Sequence, residues 1–304
     1  MQEEKIRIIS KVDDLELDSL LVMPEGEVKA VVQLAHGMNE HKERYSDFMH
    51  FLASKGYASF INDHRGHGAS VRKKDDIGYF YDSNAEAVIE DCHQLTVYLK
   101  ERFQGKKIIL FGHSMGSMIV RKYITKYDTD IDGLVVCGSP SKNSAAKLGL
   151  ALIKTVKTFK GEKYRSKALK KLMFSGYDKK NEEPNSWICS NKEIVKKYNN
   201  DELCTYDYTI NGLENIVKLM IDIYNPKIYE KNNLKLPIYF IAGSEDPVIS
   251  SKNDWEKAQE FLKTLGYENI KSTLYENMKH EILNEIENQK VYDDVLNWIN
   301  EVVK

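Results

Sequence analysis

Lys107-Ile-Ile-Leu-Phe-Gly-His-Ser-Met-Gly-Ser117 is the stretch that decides the fold. Its first half, 107–111, is a nearly unbroken apolar run, as expected of a strand buried on both faces. Its second half, Gly112-His113-Ser114-Met115-Gly116, matches G-x-S-x-G, and 115–127 reads as a helix. Strand, sharp turn and helix form the context in which that pattern carries chemistry. In so tight a turn a bulky residue two positions either side of the serine would clash, and glycine fits. Ser114 then projects above the sheet at a helix N-terminus, and the Met115 N–H points at a developing oxyanion. The alternative is a glycine-rich strand-to-helix turn without chemistry, and the flanking elements argue against it.

Outward from this turn, short apolar runs alternate with helical patterns. The segments 6–9 and 17–22 look like an opening hairpin. Strands are expected at 30–34 (AVVQL), 57–61, 133–137 (GLVVC), 237–242 (PIYFIA) and 272–275. Ser83-Asn-Ala-Glu86 has the form of a capping box, and Val88, Cys92, Leu95 and Leu99 behind it mark one helical face. Further helices are expected at 254–265 and 291–303. The alternation predicts an α/β chain with a mostly parallel eight-stranded sheet and helices on both faces, and the G-x-S-x-G turn within it is similar to that of the α/β-hydrolase fold. It breaks between 141 and 234, a Lys-rich, helix-like stretch too long for an ordinary loop. The expected organisation is a core of 1–140 and 235–304 with a helical cap inserted at 141–234.

Composition bounds the function. The 304 residues are 42% hydrophobic and 30% charged, which reads as soluble and globular. A net charge of −2 gives no reason to expect nucleic-acid binding. Cys92, Cys137, Cys189 and Cys204 are widely spaced without a CxxC pair, so free thiols in a reducing compartment are expected rather than a zinc or redox motif. No secretory signal and no run of 18 apolar residues is visible, and the expected location is the cytoplasm.

A serine needs an adjacent base, and in this fold the partners follow in the order Ser, acid, His. Of eight histidines, His280 alone follows Ser114. It lies just past the last expected strand, in Met278-Lys-His-Glu281. The acid should end a strand between the two, and 237–242 is followed by Gly243-Ser-Glu-Asp-Pro247. Glu245 and Asp246 compete. Asp246 is preferred, because Pro247 stiffens the turn and a shorter side chain suits a fixed geometry. A second oxyanion donor should come from the loop after AVVQL, which reads Ala35-His36-Gly37-Met38. Gly37 permits close approach, and the Met38 N–H is the expected donor. His36 reads as a structural turn residue.

With these residues in place, the sequence resembles the monoacylglycerol lipase and lysophospholipase group of α/β-hydrolases, the serine aminopeptidase S33-like hydrolases. The likeness is carried by His36-Gly-Met-Asn-Glu-His-Lys-Glu-Arg-Tyr45, Asp63-His-Arg-Gly-His-Gly-Ala-Ser70, 112–117, 243–248 and Lys279-His-Glu281. It spans the core, and Trp187 with Tyr198-Asn-Asn-Asp-Glu-Leu-Cys204 is similar to a cap segment of that group. The resemblance implies catalytic roles for Ser114, Asp246 and His280, and an oxyanion hole from the amides of Met38 and Met115. One departure is visible: relatives usually read Gly-Glu-His where this chain has Asn39-Glu40-His41. It should leave the hole intact and alter the flexibility of the loop. The 63–70 loop reads as structural, with His64 and His67 hydrogen-bonding across it.

The resemblance implies a serine carboxylic-ester hydrolase acting on a small lipid-like monoester, such as a monoacylglycerol or lysophospholipid, with no metal or organic cofactor. One rival is an aminopeptidase, which needs a cap carboxylate aimed at the substrate's amine; Glu182, Glu183 and Asp201 are available. Another is a non-catalytic binding module that kept the fold as a ligand pocket. Within the cap, 142–171 holds nine lysines and one arginine against a single acid, Glu162. Ala145, Leu148, Leu152, Val156 and Phe159 fall roughly on one helical face. Two readings stand level. One is a basic amphipathic lid making peripheral contact with an anionic membrane. The other is a cap helix with its apolar side on the core and its lysines solvated.

Overall fold

A computed structural model describes residues 1–174, 176–177 and 183–304. Eight strands form one sheet: β1 (Gln2–Ile9), β2 (Glu16–Met23), β3 (Val31–Ala35), β4 (Ala58–Asn62), β5 (Ile108–His113), β6 (Gly133–Cys137), β7 (Ile238–Gly243) and β8 (Ile270–Tyr275). Their order is β1-β2-β4-β3-β5-β6-β7-β8. β1 and β2 form an antiparallel hairpin on one edge, β2 pairs antiparallel with β4, and all other pairs are parallel. β3 to β7 are buried along their whole length, which is why they read as unbroken apolar runs.

Both faces are covered. α1 (Ser46–Ser54) and α9 (Asn288–Val303) bury Phe48, Leu52, Val295 and Trp298 on one face. On the other, α2 (Ala87–Arg102), α3 (Met115–Tyr127) and α8 (Lys252–Thr264) bury Leu95, Leu99, Ile119, Tyr123, Trp255 and Leu262. Each such side chain contributes about 1.5–3 kcal/mol by leaving water. α1 is absent from the sequence expectation, although Phe48, Met49, Leu52 and Ala53 have helical spacing and are all buried.

The capping box at Ser83–Glu86 is not formed. Glu86 itself precedes α2 without a side-chain cap bond. The free amides are met by Asp82 instead, whose Oδ2 accepts from the Glu86 and Ala87 N–H groups at 2.8 and 3.0 Å. A carboxylate placed before the helix suits its positive end.

Between β6 and β7 lie α4 (Ala146–Lys160), α5 (Lys167–Phe174), α6 (Lys192–Asn199) and α7 (Ile210–Asp222), with no strand among the described residues. α7 packs on α3 and α4. The five-residue stripe 145, 148, 152, 156, 159 does not form the inner face of α4. Ala146 and Ile153 are buried there, while Leu148 and Phe159 are 76% and 81% exposed. The inner face is thus rotated by about one residue from the expected stripe. Among the described residues no helix is long and apolar enough to cross a membrane.

Candidate active site

β5 ends at His113 and α3 begins at Met115, so Ser114 alone makes the turn. Its φ of 54° lies in the left-handed region, where a side chain costs about 1–3 kcal/mol. Packing around the turn holds it there. The Ser114 N–H donates to the Cys137 carbonyl at 2.9 Å, and the Ser117 N–H donates to the Ser114 carbonyl at 3.0 Å. A Cβ on Gly112 would run into the Gly116 carbonyl, and a Cβ on Gly116 into the Ala35 carbonyl. These glycines let β5, α3 and the end of β3 meet without a side chain between them.

The loop after β3 is tethered on both sides of Met38. The Gly37 N–H donates to Glu40 Oε2 at 2.6 Å, and the Asn39 N–H donates to the Tyr208 hydroxyl at 3.0 Å. The Met38 N–H stands between these two fixed amides. Met115 opens α3, so its N–H is one of the helix's unpaired first-turn donors. Met38, Ser114 and Met115 line one cavity. Asn39 has a φ of 51°, a conformation that glycine adopts freely and asparagine tolerates. Its side chain donates to the Tyr206 carbonyl at 2.9 Å, tying the loop to the segment between β6 and β7.

Asp246 follows β7 and His280 follows β8. His280 Nδ1 lies 2.9 Å from Asp246 Oδ2, and both residues are buried. The Val248 N–H donates to the other carboxylate oxygen at 2.8 Å, so the acid is held at both oxygens. Glu245 is exposed, and the carboxylate paired with the imidazole is that of Asp246. Gly243 lets the histidine loop approach, because a Cβ there would meet the Met278 and Lys279 carbonyls. A Cβ on Gly138 would lie 3.2 Å from the His280 ring. Ser114 and His280 line the same cavity of about 600 Å3, within the range usual for small-molecule sites. Most of its wall is apolar, with Met118, Leu152, Ile153, Leu213, Ile216 and Val217 among the residues lining it.

Several supporting residues carried no role in the sequence reading. His113, the variable residue before the serine, has Nε2 3.2 Å from the His280 carbonyl and Nδ1 3.1 Å from the Tyr45 hydroxyl. Burial opposes charge on His113, but Glu40 outweighs it and raises its pKa. Burial likewise pushes the Glu40 carboxyl up, and His113 and Arg44 reverse this, holding it well below the usual range. Arg44 also pairs with Glu281 at 2.5 Å. The Trp187 ring lies 5.2 Å from the His280 ring, tilted by 41°. Glu40 and Arg44 fall inside the quoted 36–45 motif and Trp187 in the quoted cap segment, so the signal was present without its meaning.

His36 accepts the His64 N–H through Nε2 at 3.0 Å, and His67 Nε2 lies 2.6 Å from the Tyr208 hydroxyl. The expected bonding within the 63–70 loop is met by His67, whose Nδ1 lies 3.0 Å from the Arg65 carbonyl while its Nε2 reaches the segment between β6 and β7; His64 Nε2 has no partner among the described residues. Burial holds all three rings neutral, with His64 pushed down to about 3 and His67 to about 4. Of the candidate amine-binding carboxylates, Asp201 turns to His41 at 2.9 Å, Glu183 is exposed, and Glu182 lies outside the described residues.

The fold and the serine turn define an α/β-hydrolase. The family model described as "Serine aminopeptidase, S33" matches residues 26–287, and the chain belongs to that family. It is 25% identical to a monoacylglycerol lipase of Mycolicibacterium smegmatis over 276 residues, covering 91% of this chain and 90% of that protein. It is 26% identical to human monoglyceride lipase over 292 residues, covering 91% and 84%. Among solved structures, a thermostable carboxyl esterase from Bacillus coagulans in complex with glycerol superposes with a TM-score of 0.90 at 27% identity, over 100% of both chains.

Proposed function

We propose that this chain hydrolyses a lipid-like monoester, such as a monoacylglycerol or lysophospholipid, through an acyl-enzyme on Ser114. The chain is a carboxylic-ester hydrolase; the finer reading rests chiefly on a serine turn and a buried Asp246–His280 pair opening on one apolar cavity. Ser114 Oγ attacks the ester carbonyl while His280 takes its proton. The Met38 and Met115 N–H groups receive the oxyanion. The tetrahedral intermediate collapses, the C–O bond breaks, and His280 returns the proton to the leaving alcohol. Water then repeats the sequence and releases the fatty acid. Asp246 keeps the imidazole in one tautomer and offsets its charge. The route needs no metal or organic cofactor.

Ester rather than peptide substrates are favoured by the cavity wall. Glu40 and Glu281, the carboxylates lining the cavity among the described residues, are engaged by Tyr45 and Arg44. Neither is free to bind an amine. The names of the lipase and esterase relatives agree with this reading. Residues 141–234 act as the cap. Leu148, Leu152 and Leu172 both line the cavity and stand exposed, so the mouth is apolar. Lys147, Lys154 and Lys160 are exposed on the same helix as Leu148 and Leu152, and we extend the reading to peripheral contact with an anionic membrane at this mouth.

A p-nitrophenyl ester series of increasing acyl length, run beside a monoacylglycerol and an aminoacyl-nitroanilide, tests the proposal. Turnover should favour medium or long acyl chains and the monoacylglycerol. Preferred cleavage of the anilide would reassign the chain to peptide chemistry. Labelling of Ser114 by a fluorophosphonate separates a working enzyme from a silent ligand pocket.

A further inference from the structure

The four cysteines are free, buried and far apart in sequence, yet folding brings one of them to a polar cluster. His41, on the loop after β3, meets Asp201 and Cys204 in the turn after α6. One ligand atom from each lies within 4.8 Å of the others. Among the described residues this is the group of such side chains able to surround an ion.

His41 Nδ1 lies 2.7 Å from Glu43 Oε2, and Nε2 lies 2.9 Å from Asp201 Oδ2. A neutral imidazole donates from one nitrogen only. Both ring nitrogens face carboxylate oxygens; burial opposes a second ring proton, while Cys204, Glu43 and Asp201 favour it and raise the pKa to about 10, and a metal ion can take that proton's place. A carboxylate on the second ring nitrogen is also how metal-bound histidines are oriented. The Asp201 carboxylate is fixed by its own turn, since the Leu203 N–H donates to Oδ1 at 2.8 Å. Asp201 is 31% exposed, which opens a path from solvent, whereas Cys204 is buried.

We propose that His41, Asp201 and Cys204 form a structural zinc site, with Glu43 orienting the imidazole. One nitrogen, one oxygen and one sulfur suit Zn2+, whereas Mg2+ and Ca2+ favour oxygen alone. Ion binding releases the Cys204 proton to solvent and leaves a zinc-bound thiolate. A water completes the tetrahedron. The ion joins the loop that carries the Met38 amide to the 199–206 turn, whose Cys204, Thr205 and Tyr206 line the cavity.

Titration of the full-length, EDTA-stripped chain with ZnCl2, followed by calorimetry and thermal melting, tests this. Cobalt substitution adds a sulfur-to-metal absorption band that reports thiolate ligation directly. Wild type and Cys189→Ser should bind one ion per chain, melt higher with zinc and show the band. Cys204→Ser should lose the band and bind at least 100-fold more weakly. Asp201→Asn should bind at least tenfold more weakly, with both variants keeping the wild-type circular dichroism. Absence of stoichiometric binding or of the cobalt band in wild type would overturn the proposal whatever the variants do, leaving a proton-held cluster. A band that survives Cys204→Ser, or vanishes with Cys189→Ser, would overturn it too.

Discussion

The serine turn and the outer face of α4 follow opposite rules. At 112–116 there is no room for one methyl group beside Gly116, and a strained backbone is held by neighbours on three strands. On α4, Leu148 and Phe159 stand largely in water. A site that must hold its atoms still is built where packing over-determines position. A mouth that must admit an apolar chain is built where apolar surface is left uncovered.

The largest test of this contrast is chemical. Ser114→Ala should lower ester turnover on the order of 10⁶-fold while the melting temperature stays near wild type. Asp246→Asn should cost roughly 10⁴-fold, and Glu245→Gln little, by the same assay. Equal losses at the two acids would break the assignment. Next in size is stability. Gly116→Ala should lower unfolding free energy by about 3 kcal/mol or more, because the clash is with backbone. Leu148→Ser should stay within about 0.5 kcal/mol. Urea melts of both variants show whether the two regions differ as described.

The third test concerns the rim. Lys157 belongs elsewhere: its Nζ pairs with Glu214 at 2.8 Å. Replacing Lys147, Lys154 and Lys160 by Gln should weaken binding to phosphatidylglycerol vesicles at low salt by tenfold or more, since each surface lysine adds about 1 kcal/mol. Hydrolysis of a short soluble ester should hardly change. Co-sedimentation with no wild-type binding at low salt removes the membrane reading.

The smallest expected effect sharpens the packed side. His64 is neutral in the fold, its pKa pushed down to about 3, against 6.5 for the unfolded chain. As pH falls below 6.5 the unfolded state takes up a proton that the folded state refuses. Stability is therefore lost on acidification, by up to about 1.4 kcal/mol per pH unit. His64→Phe should flatten that part of the slope in urea melts at pH 7, 6 and 5. An unchanged slope would return the effect to other groups.

Much of this was written locally in the chain. The buried strands announced themselves as apolar runs, and G-x-S-x-G fell on the one residue of that turn with a positive φ. Asp246 and His280, offered as acid and base, lie 2.9 Å apart. Some of what escaped was local, and some depended on distant partners. The missed capping by Asp82 turned on one residue of offset. The outward face of α4 was decided by α7, which takes Ile153's side of the helix. The cluster at His41 was illegible because its members are 160 residues apart and share no spacing rule.

The strand order carries a consequence for synthesis. Asp246 and His280 come from β7 and β8, the last strands made. At about 5–20 residues per second, a ribosome takes on the order of ten to thirty seconds to pass from the serine to the histidine. On the proposed mechanism, the nascent chain throughout that interval carries its serine turn and the loop after β3 but no imidazole to deprotonate the serine. On that mechanism any product released early, by a premature stop or a stalled message, is born without a base, so the order of the strands keeps an unfinished hydrolase inert.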